Sequence, residues 1–490
     1  MICVMTAYAR IAEIEQPERR GQHRSYFLAQ TVNQTEHYKP REREVFIMTT
    51  ATGSAILIVI ALAVLVSLVM KGVNLLPAAL AAGAILSFGV DGGWINGFFT
   101  IFSQGAGGYA ANLIVPFMSG GIFGAVMIAS GSDVVIGRTI IGKFGTGFAV
   151  YSLAIFVALM GFCGINSWPF LAAILAFSLM RACDLPLQVA CVTMVGINSA
   201  FSFIFPGSPT MPNLIAAQAF GTNIYAGALI GVIMCAVQCI LVLLYVNKSL
   251  IRGYRKKGIG YTPCSMETSL RGEGAEVKEE ELPSFTIAMI PMALVVILAF
   301  VFQIGMNIDS TTSCVVAQVI SSTLCVILNA KRGMVKKLPQ AVSNGCIQTS
   351  WPLLATCAIV GFSSLISSTA FYTMVMNFVS TMNISPYLLV VVGTAIASAI
   401  GADPMGGISM SVSTFGQTAI AAGANPGLVH RLTLASATTF DSMPHSGNLN
   451  VTMGFLGLSH KDVYRQIVVV QIGATSAATL VGMVISMIIG

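Results

Sequence analysis

Long apolar segments, separated by short polar ones, follow one another from residue 55 to residue 489. A helix needs about 20 predominantly apolar residues to cross the hydrocarbon core of a bilayer. By that measure, seven segments predict uninterrupted membrane-spanning helices: 55–70, 75–90, 113–130, 226–246, 285–302, 314–329 and 467–489.

Five further apolar segments are interrupted. The clearest interruptions are "GFCGINSWP", "FPGSP", "GADPMGG" and "FDSMPHSG", which combine proline, glycine and polar residues. Backbone that is not helical leaves N–H and C=O groups unpaired, and at membrane depth it is tolerated only where it lines protein or a water-filled cavity. These stretches therefore predict broken helices and re-entrant hairpins within four apolar segments, 148–180, 187–220, 388–422 and 428–458. The fifth interrupted segment is 351–380.

Two of the interruptions share one pattern. "FPGSPTMPNLIAAQAF" (205–220) and "FDSMPHSGNLNVTMGF" (440–455) align without a gap as F-x3-P-x3-N-L-x5-F, at an offset of 235 residues. Each is preceded by another interrupted segment, and each half contains an odd number of predicted crossings. The two copies therefore enter the bilayer from opposite sides, as an inverted repeat of about five crossings each.

The repeat indicates where a ligand binds. In paired discontinuous helices, half-helix N-termini point at an anionic substrate near the bilayer midplane. Ordinary proline kinks are the alternative interpretation, which the matched positions of the two copies disfavour. We expect the substrate to contact residues that flank the two matched prolines: Gly207, Ser208, Asn213, Ser446, Gly447 and Asn448.

Three ionisable residues stand at the interruptions of the second half. Asp441 is the first candidate for carrying a coupled proton, because an ionisable residue within a spanning segment is costly and is functional by default. It could also be a helix N-cap. His445 could share that proton or be a hydrogen-bonded structural histidine. Asp403, within "GADPMGG", is a further proton or cation site or a plain turn former.

Arg431 and the first hairpin complete the candidate set. Arg431 could pair with the substrate carboxylate, neutralise Asp441, or extend its side chain to the outer interface. Asn166 and Ser167, at the tip of the first hairpin, are the neutral counterparts of Asp403, and we expect them to contact the substrate as well.

Composition agrees with a membrane protein: hydrophobic residues make up 55% of the 490 residues and charged residues only 9%. Residues 1–47 and 247–283 each hold seven Lys or Arg and six Asp or Glu. Because short loops rich in Lys and Arg stay in the cytoplasm, the segment that begins "NKSLIRGYRKK" and the loop "KRGMVKK" are placed inside, and both ends of the membrane domain outside. The net charge of +6 gives no reason to expect nucleic acid as a partner.

The same patterns divide the chain. Residues 1–47 form a polar N-terminal arm, or translation starts at Met48, which directly precedes the first span. The first transmembrane repeat is predicted over 48–246, a cytoplasmic linker over 247–283 and the second repeat over 284–490.

Other functional classes lack support. "QGAGG" has neither the strand nor the helix context of a nucleotide-binding loop, and the sequence contains no Walker motif. Catalytic Cys–His or Ser–His–Asp patterns and zinc-ligand spacings are also absent, so we expect no enzymatic activity, cofactor or metal. A membrane-bound sensor remains a second alternative, although the loops are short and carry no signalling domain.

The interrupted motifs resemble a known family. "FDSMPHSGNLNVTMGFLGLSHKDVYRQIVVV" and "FPGSPTMPNLIAAQAFGTNIYAG" are similar to the two signature stretches of the gluconate permease (GntP) family, in particular its hydroxybutyrate-permease-like branch. The resemblance runs from about residue 55 to residue 488. Two departures affect the presumed site: "GADPMGG" stands where the family has a serine-rich tip, and "SGNLN" where it more often has "NGAVI".

The resemblance implies an all-α polytopic membrane protein of the wider ion-transporter class, built from two inverted repeats with re-entrant hairpins. It also implies proton symport of a small organic acid anion across the inner (cytoplasmic) membrane, and an assembly that is often a homodimer. The departures leave the substrate open among hydroxy acids, sugar acids such as gluconate and related carboxylates. Sodium coupling is the nearest alternative, because unwound carbonyls can also ligate Na⁺.

Overall fold

The computed structural model describes residues 49–71, 73–165, 167–271 and 282–490. The N-terminal arm 1–47, Asn166 and most of the acidic half of the linker lie outside the described residues. No strand occurs in the described part of the chain. Eight of its helices are long and apolar enough to cross a membrane, or nine if a pair bent by 115° is counted as one span.

The first repeat contains nine helices among the described residues. We number them α1 Ala51–Met70, α2 Leu75–Leu86, α3 Gly93–Ala129, α4 Ser132–Phe144, α5 Ala149–Phe162, α6 Trp168–Ala182, α7 Leu187–Ile204, α8 Met211–Ala219 and α9 Ala228–Lys256.

The second repeat follows a short linker helix, α10 (Ser265–Arg271), and repeats the order of the first. Its helices are α11 Phe285–Gly305, α12 Ser310–Leu328, α13 Met334–Ser367, α14 Ala370–Ser380, α15 Pro386–Gly401, α16 over 404–421, α17 Pro426–Ala437, α18 Gly447–Phe455 and α19 His460–Ile489.

The packing of the two repeats also corresponds. Helix α5 packs on α7 as α15 packs on α17, and α12 packs on α3 as α2 packs on α13. Two pairs of counterpart helices, α3 with α13 and α9 with α19, also pack directly on each other. The predicted fold class, an all-α polytopic membrane protein of two repeats with broken helices, is confirmed.

The interruptions fall where the sequence predicts them. Helices α5 and α6 form hairpin 1, with its tip at 163–167, and α15 and α16 form hairpin 2, with its tip at Ala402 and Asp403. The first break, 205–210, separates α7 from α8, and the second break, 438–446, separates α17 from α18. Proline and glycine end these helices because proline lacks the N–H that continues the ladder and glycine tolerates the turn.

Some element bounds differ from the prediction. Helix α3 begins 20 residues before the predicted span at 113, because its glycines and a π-helical turn at Asn96–Phe102 do not end it. Helix α9 continues to Lys256, beyond the predicted repeat boundary at 246, through a second π-helical turn at Val246–Leu250. Helix α4 was not predicted as a separate element; it is bent by 115° against the helix that follows.

The linker packs against the membrane domain. The buried carboxylate of Glu267 on α10 accepts a hydrogen bond of 2.6 Å from Arg181 at the end of hairpin 1. The backbone N–H of Tyr261 donates to Asp184 at 2.8 Å, and the guanidinium of Arg181 lies over the ring of Tyr261. The described part of the linker is therefore held to the base of hairpin 1.

Candidate functional site

Each break contacts the hairpin of its own repeat. The hydroxyl of Ser208 in the first break donates to the carbonyls of Phe162 at 3.0 Å and Gly161 at 3.3 Å, at the end of α5. In the second break, Nε2 of His445 donates to the carbonyl of Ile400 at 3.1 Å, at the end of α15. Because a helix C-terminus leaves carbonyls unpaired, these side chains satisfy them and join break to hairpin.

Two glutamines hold the tip of hairpin 1. The amide of Gln303 on α11 donates to the carbonyl of Cys163 at 2.6 Å. The amide of Gln318 on α12 donates to the hydroxyl of Ser167, and its oxygen accepts from Ser119 at 2.5 Å. Ser167 is buried. Its hydroxyl is thus engaged by the protein itself.

The first break is closed by a buried hydrogen-bond network. Asn213, fully buried on α8, donates to the carbonyl of Ser208 at 2.7 Å, and its oxygen lies 2.7 Å from Nε2 of His430 on α17. The other ring nitrogen of His430 lies 2.7 Å from the hydroxyl of Thr222. Gly207 adopts a φ of 91°, where an added Cβ would meet the ring of Tyr225 at 2.7 Å. In this conformation Asn213 and Gly207 shape the break.

Arg431 also braces the first break. Its guanidinium is fully buried and donates to the carbonyls of Phe203, Ile204, Ile224 and Ala226, at distances from 2.8 to 3.4 Å. The first two carbonyls belong to the end of α7, where the helix dipole favours a positive charge.

This placement excludes two of the three interpretations of Arg431, pairing with Asp441 and extension to the outer interface. No acidic side chain among the described residues forms an ion pair with it, and its burial rules out extension to the outer interface. The hydrogen-bond partners of Arg431 are backbone carbonyls of the first repeat.

The second break contains a buried carboxyl group. Asp441 is 3% exposed, and its Oδ1 accepts hydrogen bonds from the hydroxyl of Ser442 at 3.0 Å and the amide of Gln471 at 3.2 Å. No cationic side chain of the described residues pairs with it. Both donors are neutral, so the carboxyl group is held in place while its charge, when present, is uncompensated.

A chain of neutral side chains continues from Asp441 into the repeat interface. Gln471 on α19 accepts a hydrogen bond from Ser199 on α7 at 3.2 Å, and Ser199 accepts one from Gln238 on α9 at 2.7 Å. All three are buried. Gln238 and Gln471 lie on the counterpart helices α9 and α19, 233 residues apart in the chain. Gln238 and Gln471 thus both form a hydrogen bond with Ser199, but only Gln471 also forms one with the carboxyl group of Asp441.

Hairpin 2 places a second carboxyl group nearby. Asp403 caps α16, accepting from the N–H of Gly406 at 3.1 Å, after a left-handed turn at Ala402. It lies close enough to interact electrostatically with Asp441 and with Tyr109 on α3. Of the predicted residues, the structure therefore brings together Asp441, His445 and Asp403.

The N-terminus of α18 borders the same region. Ser446 caps this helix, accepting from the N–H of Leu449 at 3.4 Å, and Gly447 packs against the side chain of Thr356. Asn448 is only half-buried. Asn450 instead makes the local brace, donating to the carbonyls of Pro444 and Ser446 at 3.0 and 2.6 Å.

The sequence interpretation missed Gln238, Gln303, Gln318 and Gln471. Each is a single amide in an apolar helix, and composition alone does not separate such a residue from a packing residue. Their signal is positional: Gln303 and Gln318 contact the tip of hairpin 1, and Gln471 contacts the second break. Gln238 contacts Gly196 and Ser199 on α7.

Comparisons with known proteins point to one class. No family model matches this chain. It is 21% identical over 458 residues to the uncharacterized transporter YxjC of Bacillus subtilis, covering 86% of this chain and 96% of that protein. It is 23% identical over 362 residues to an uncharacterized transporter of Haemophilus influenzae, covering 71% and 78% respectively.

A solved structure, the Alcanivorax borkumensis YdaH transporter, covers 86% of this chain and 96% of its own, with 12% identity and a TM-score of 0.37. This multi-pass membrane protein is therefore similar, over most of its length, to two curated proteins that are named as transporters.

Proposed function

We propose that the chain is a secondary active transporter that takes up a small organic acid anion together with protons. The observation that carries the proposal is the buried carboxyl group of Asp441, which receives hydrogen bonds from neutral donors and has no cationic partner among the described residues. A buried, unpaired carboxylate is costly, so burial favours its protonated form. Exposure to water on either side then allows the proton to exchange.

The same carboxyl group couples the proton to the anion. A monovalent anion binds beside Asp441 only while this group is protonated, because like charges repel at short range in a low-dielectric interior. The N-terminus of α18, with Ser446 and the half-buried Asn448, supplies donors and a favourable helix dipole for the carboxylate. The form that holds the anion without the proton is thus disfavoured, so anion entry requires the proton.

Two independent similarities support this function. The motifs at both breaks resemble those of the gluconate permease family, whose members take up organic acid anions with protons. The curated relatives are named as transporters, in agreement with the expectation that the chain is not an enzyme. We also propose the inner (cytoplasmic) membrane as its location, which the resemblance to the gluconate permease family implies.

The test is uptake into proteoliposomes. Thermal-shift screening against hydroxy, keto and sugar acids first identifies a stabilising anion. Its labelled form should then accumulate when the interior is more alkaline than the medium, without ATP. No counterflow and no accumulation of any stabilising acid would contradict transport.

The number of protons carried with each anion can be determined from the effect of the membrane potential on accumulation. One proton per monovalent anion moves no net charge, so a potential set with valinomycin leaves accumulation unchanged. A second proton, carried by His445 or Asp403, makes transport electrogenic, with about 2.3 kcal/mol per 100 mV of added driving force.

Sodium coupling is the competing version, because Asp441 and Ser442 present oxygen atoms beside the unwound backbone, whose carbonyls can also ligate Na⁺. It is favoured if uptake at equal pH on both sides requires a sodium gradient. Uptake that follows the pH gradient in the absence of Na⁺ excludes it.

A further inference from the structure

An apolar groove opens on the membrane-facing side of α3 and α12. Its cavity measures about 550 Å³ and is lined by apolar residues that include Ile114 and Val126 on α3, Val319 and Ile327 on α12, and Leu338 on α13. Several of these side chains are exposed, among them Val319 at 53%. In a membrane-spanning protein, such a surface faces the lipid.

The polar groups in the groove are already satisfied. The hydroxyl of Ser119 donates to Gln318, that of Ser322 to the carbonyl of Gln318, and that of Thr323 to the carbonyl of Val319. The hydroxyl donors of these residues are therefore already used within the protein. The chemistry of the groove suits an acyl chain.

One end of the groove continues into a basic cleft. Helix α3 contributes Val126 to the groove and Ala129 and Ser130 to the cleft, which Arg332 and Lys337 also line. Helices α12 and α13 likewise contribute neighbouring residues to both. The cleft lies where α3 and α12 end and α13 begins.

We infer that the groove and its basic mouth bind an anionic phospholipid, with an acyl chain against α3 and α12 and the phosphate beside Arg332 and Lys337. Guanidinium groups bind phosphate bidentately, and basic pockets between helices on the cytoplasmic side suit anionic headgroups. The loop "KRGMVKK" adds two further lysines at the same end. The positive-inside rule places this loop on the cytoplasmic side.

A second copy of the chain fits this surface less well. In a symmetric dimer the same patch faces itself, so the four basic residues of the loop would oppose the same four of the partner. Repulsion between them disfavours that arrangement. A negatively charged headgroup makes a favourable contact at the same place.

The test compares lipid retention on the purified full chain by native mass spectrometry, after incubation with vesicles of phosphatidylglycerol or phosphatidylcholine. The wild type should retain phosphatidylglycerol in preference to phosphatidylcholine. Arg332→Gln/Lys337→Gln should reduce that preference about tenfold or more, because these two residues line the cleft proposed to receive the phosphate. The matched control, Lys256→Gln/Lys257→Gln, removes two exposed basic residues elsewhere and should keep the preference.

A second variant tests the groove itself. Val319→Trp fills it from a lipid-exposed position and should lower retention of both lipids, whereas Val232→Trp, at an exposed position of α9, should not. Three results overturn the inference: equal phosphatidylglycerol retention by wild type and Arg332→Gln/Lys337→Gln, displacement of the lipid by inorganic phosphate, or a wild-type dimer that Val319→Trp converts to monomer. The last would assign the groove to a second copy.

Discussion

The two breaks occupy corresponding positions in the repeats, but their polar groups act differently. At the offset of 235 residues, Pro206 in the first break corresponds to Asp441 in the second, and Thr210 corresponds to His445. The first break is neutral and is braced from the other repeat by His430 and Arg431. The repeat thus supplies the unwound backbone twice, whereas the titratable groups stand in one copy only.

This difference suggests a division of labour. The braces of the first break are buried hydrogen bonds and a buried guanidinium on backbone carbonyls, which are expensive to break. The second break is held by neutral donors around an unpaired carboxyl group. We therefore expect substitutions in the first break to act on stability and substitutions in the second to act on coupling.

The largest expected effect is that of Asp441→Asn. Asparagine imitates the protonated carboxyl group and cannot release a proton, so accumulation driven by a pH gradient should be lost. Counterflow of labelled substrate at equal pH should remain. Both are measured in proteoliposomes, and a variant that still accumulates substrate under a pH gradient would remove Asp441 from coupling.

Arg431→Met should prevent stable folding or lower the melting temperature strongly. Four backbone carbonyls would lose their donor, at about 1 to 3 kcal/mol for each buried group left unpaired. Thermal unfolding in detergent measures the change, and Val429→Ala, a buried neighbour on α17, is the control for loss of packing alone. Normal stability with abolished substrate binding would instead make Arg431 a substrate ligand.

Gln471→Leu should slow coupled uptake about tenfold, because Asp441 loses the hydrogen bond that orients it. Gln238→Leu, one step further along the chain, should have a smaller effect. Gln471→Glu should change the pH profile of uptake, since it adds a titratable group beside Asp441, whereas a packing role alone would not alter that profile. Two results together would argue against a role of Gln471 in orienting Asp441: Gln471→Leu and Gln238→Leu lower stability equally, and uptake by the protein that remains folded is unchanged.

The smallest expected effects come from substituting the two matched asparagines, and they differ between the two breaks. Asn448→Ala should raise the KM for the anion about fivefold with little change in stability, because one hydrogen bond to substrate is lost. Asn213→Ala should lower the melting temperature and leave the KM of the folded protein unchanged. The reverse assignment of the two effects would contradict the division between the breaks.

The sequence predicts the breaks well because their determinants are local. Proline and glycine within an apolar segment have few structural solutions in a membrane, and the shared F-x3-P-x3-N-L-x5-F pattern locates both copies. The contacts of single side chains are less predictable. Nothing in the sequence around Arg431 indicates that its partners are backbone carbonyls, because every residue type has the same backbone carbonyl.

The matched asparagines show a related limit. Asn213 braces the first break, but in the second copy the brace is Asn450, two residues beyond the motif position. The two asparagines at 213 and 448 therefore occupy matched sequence positions but make different contacts. Gln238 and Gln471 are the converse case, because their shared contact with Ser199 becomes visible only when the helices are packed.

The central claim is that the second break carries the proton with the anion. It is tested most directly by proton flux: proteoliposomes containing a trapped pH indicator receive an inward gradient of the stabilising anion, with no initial pH difference. Substrate entry should acidify the interior in the wild type and leave it unchanged in Asp441→Asn at equal reconstitution. Substrate entry without acidification in the wild type, or equal acidification in both proteins, would contradict the account.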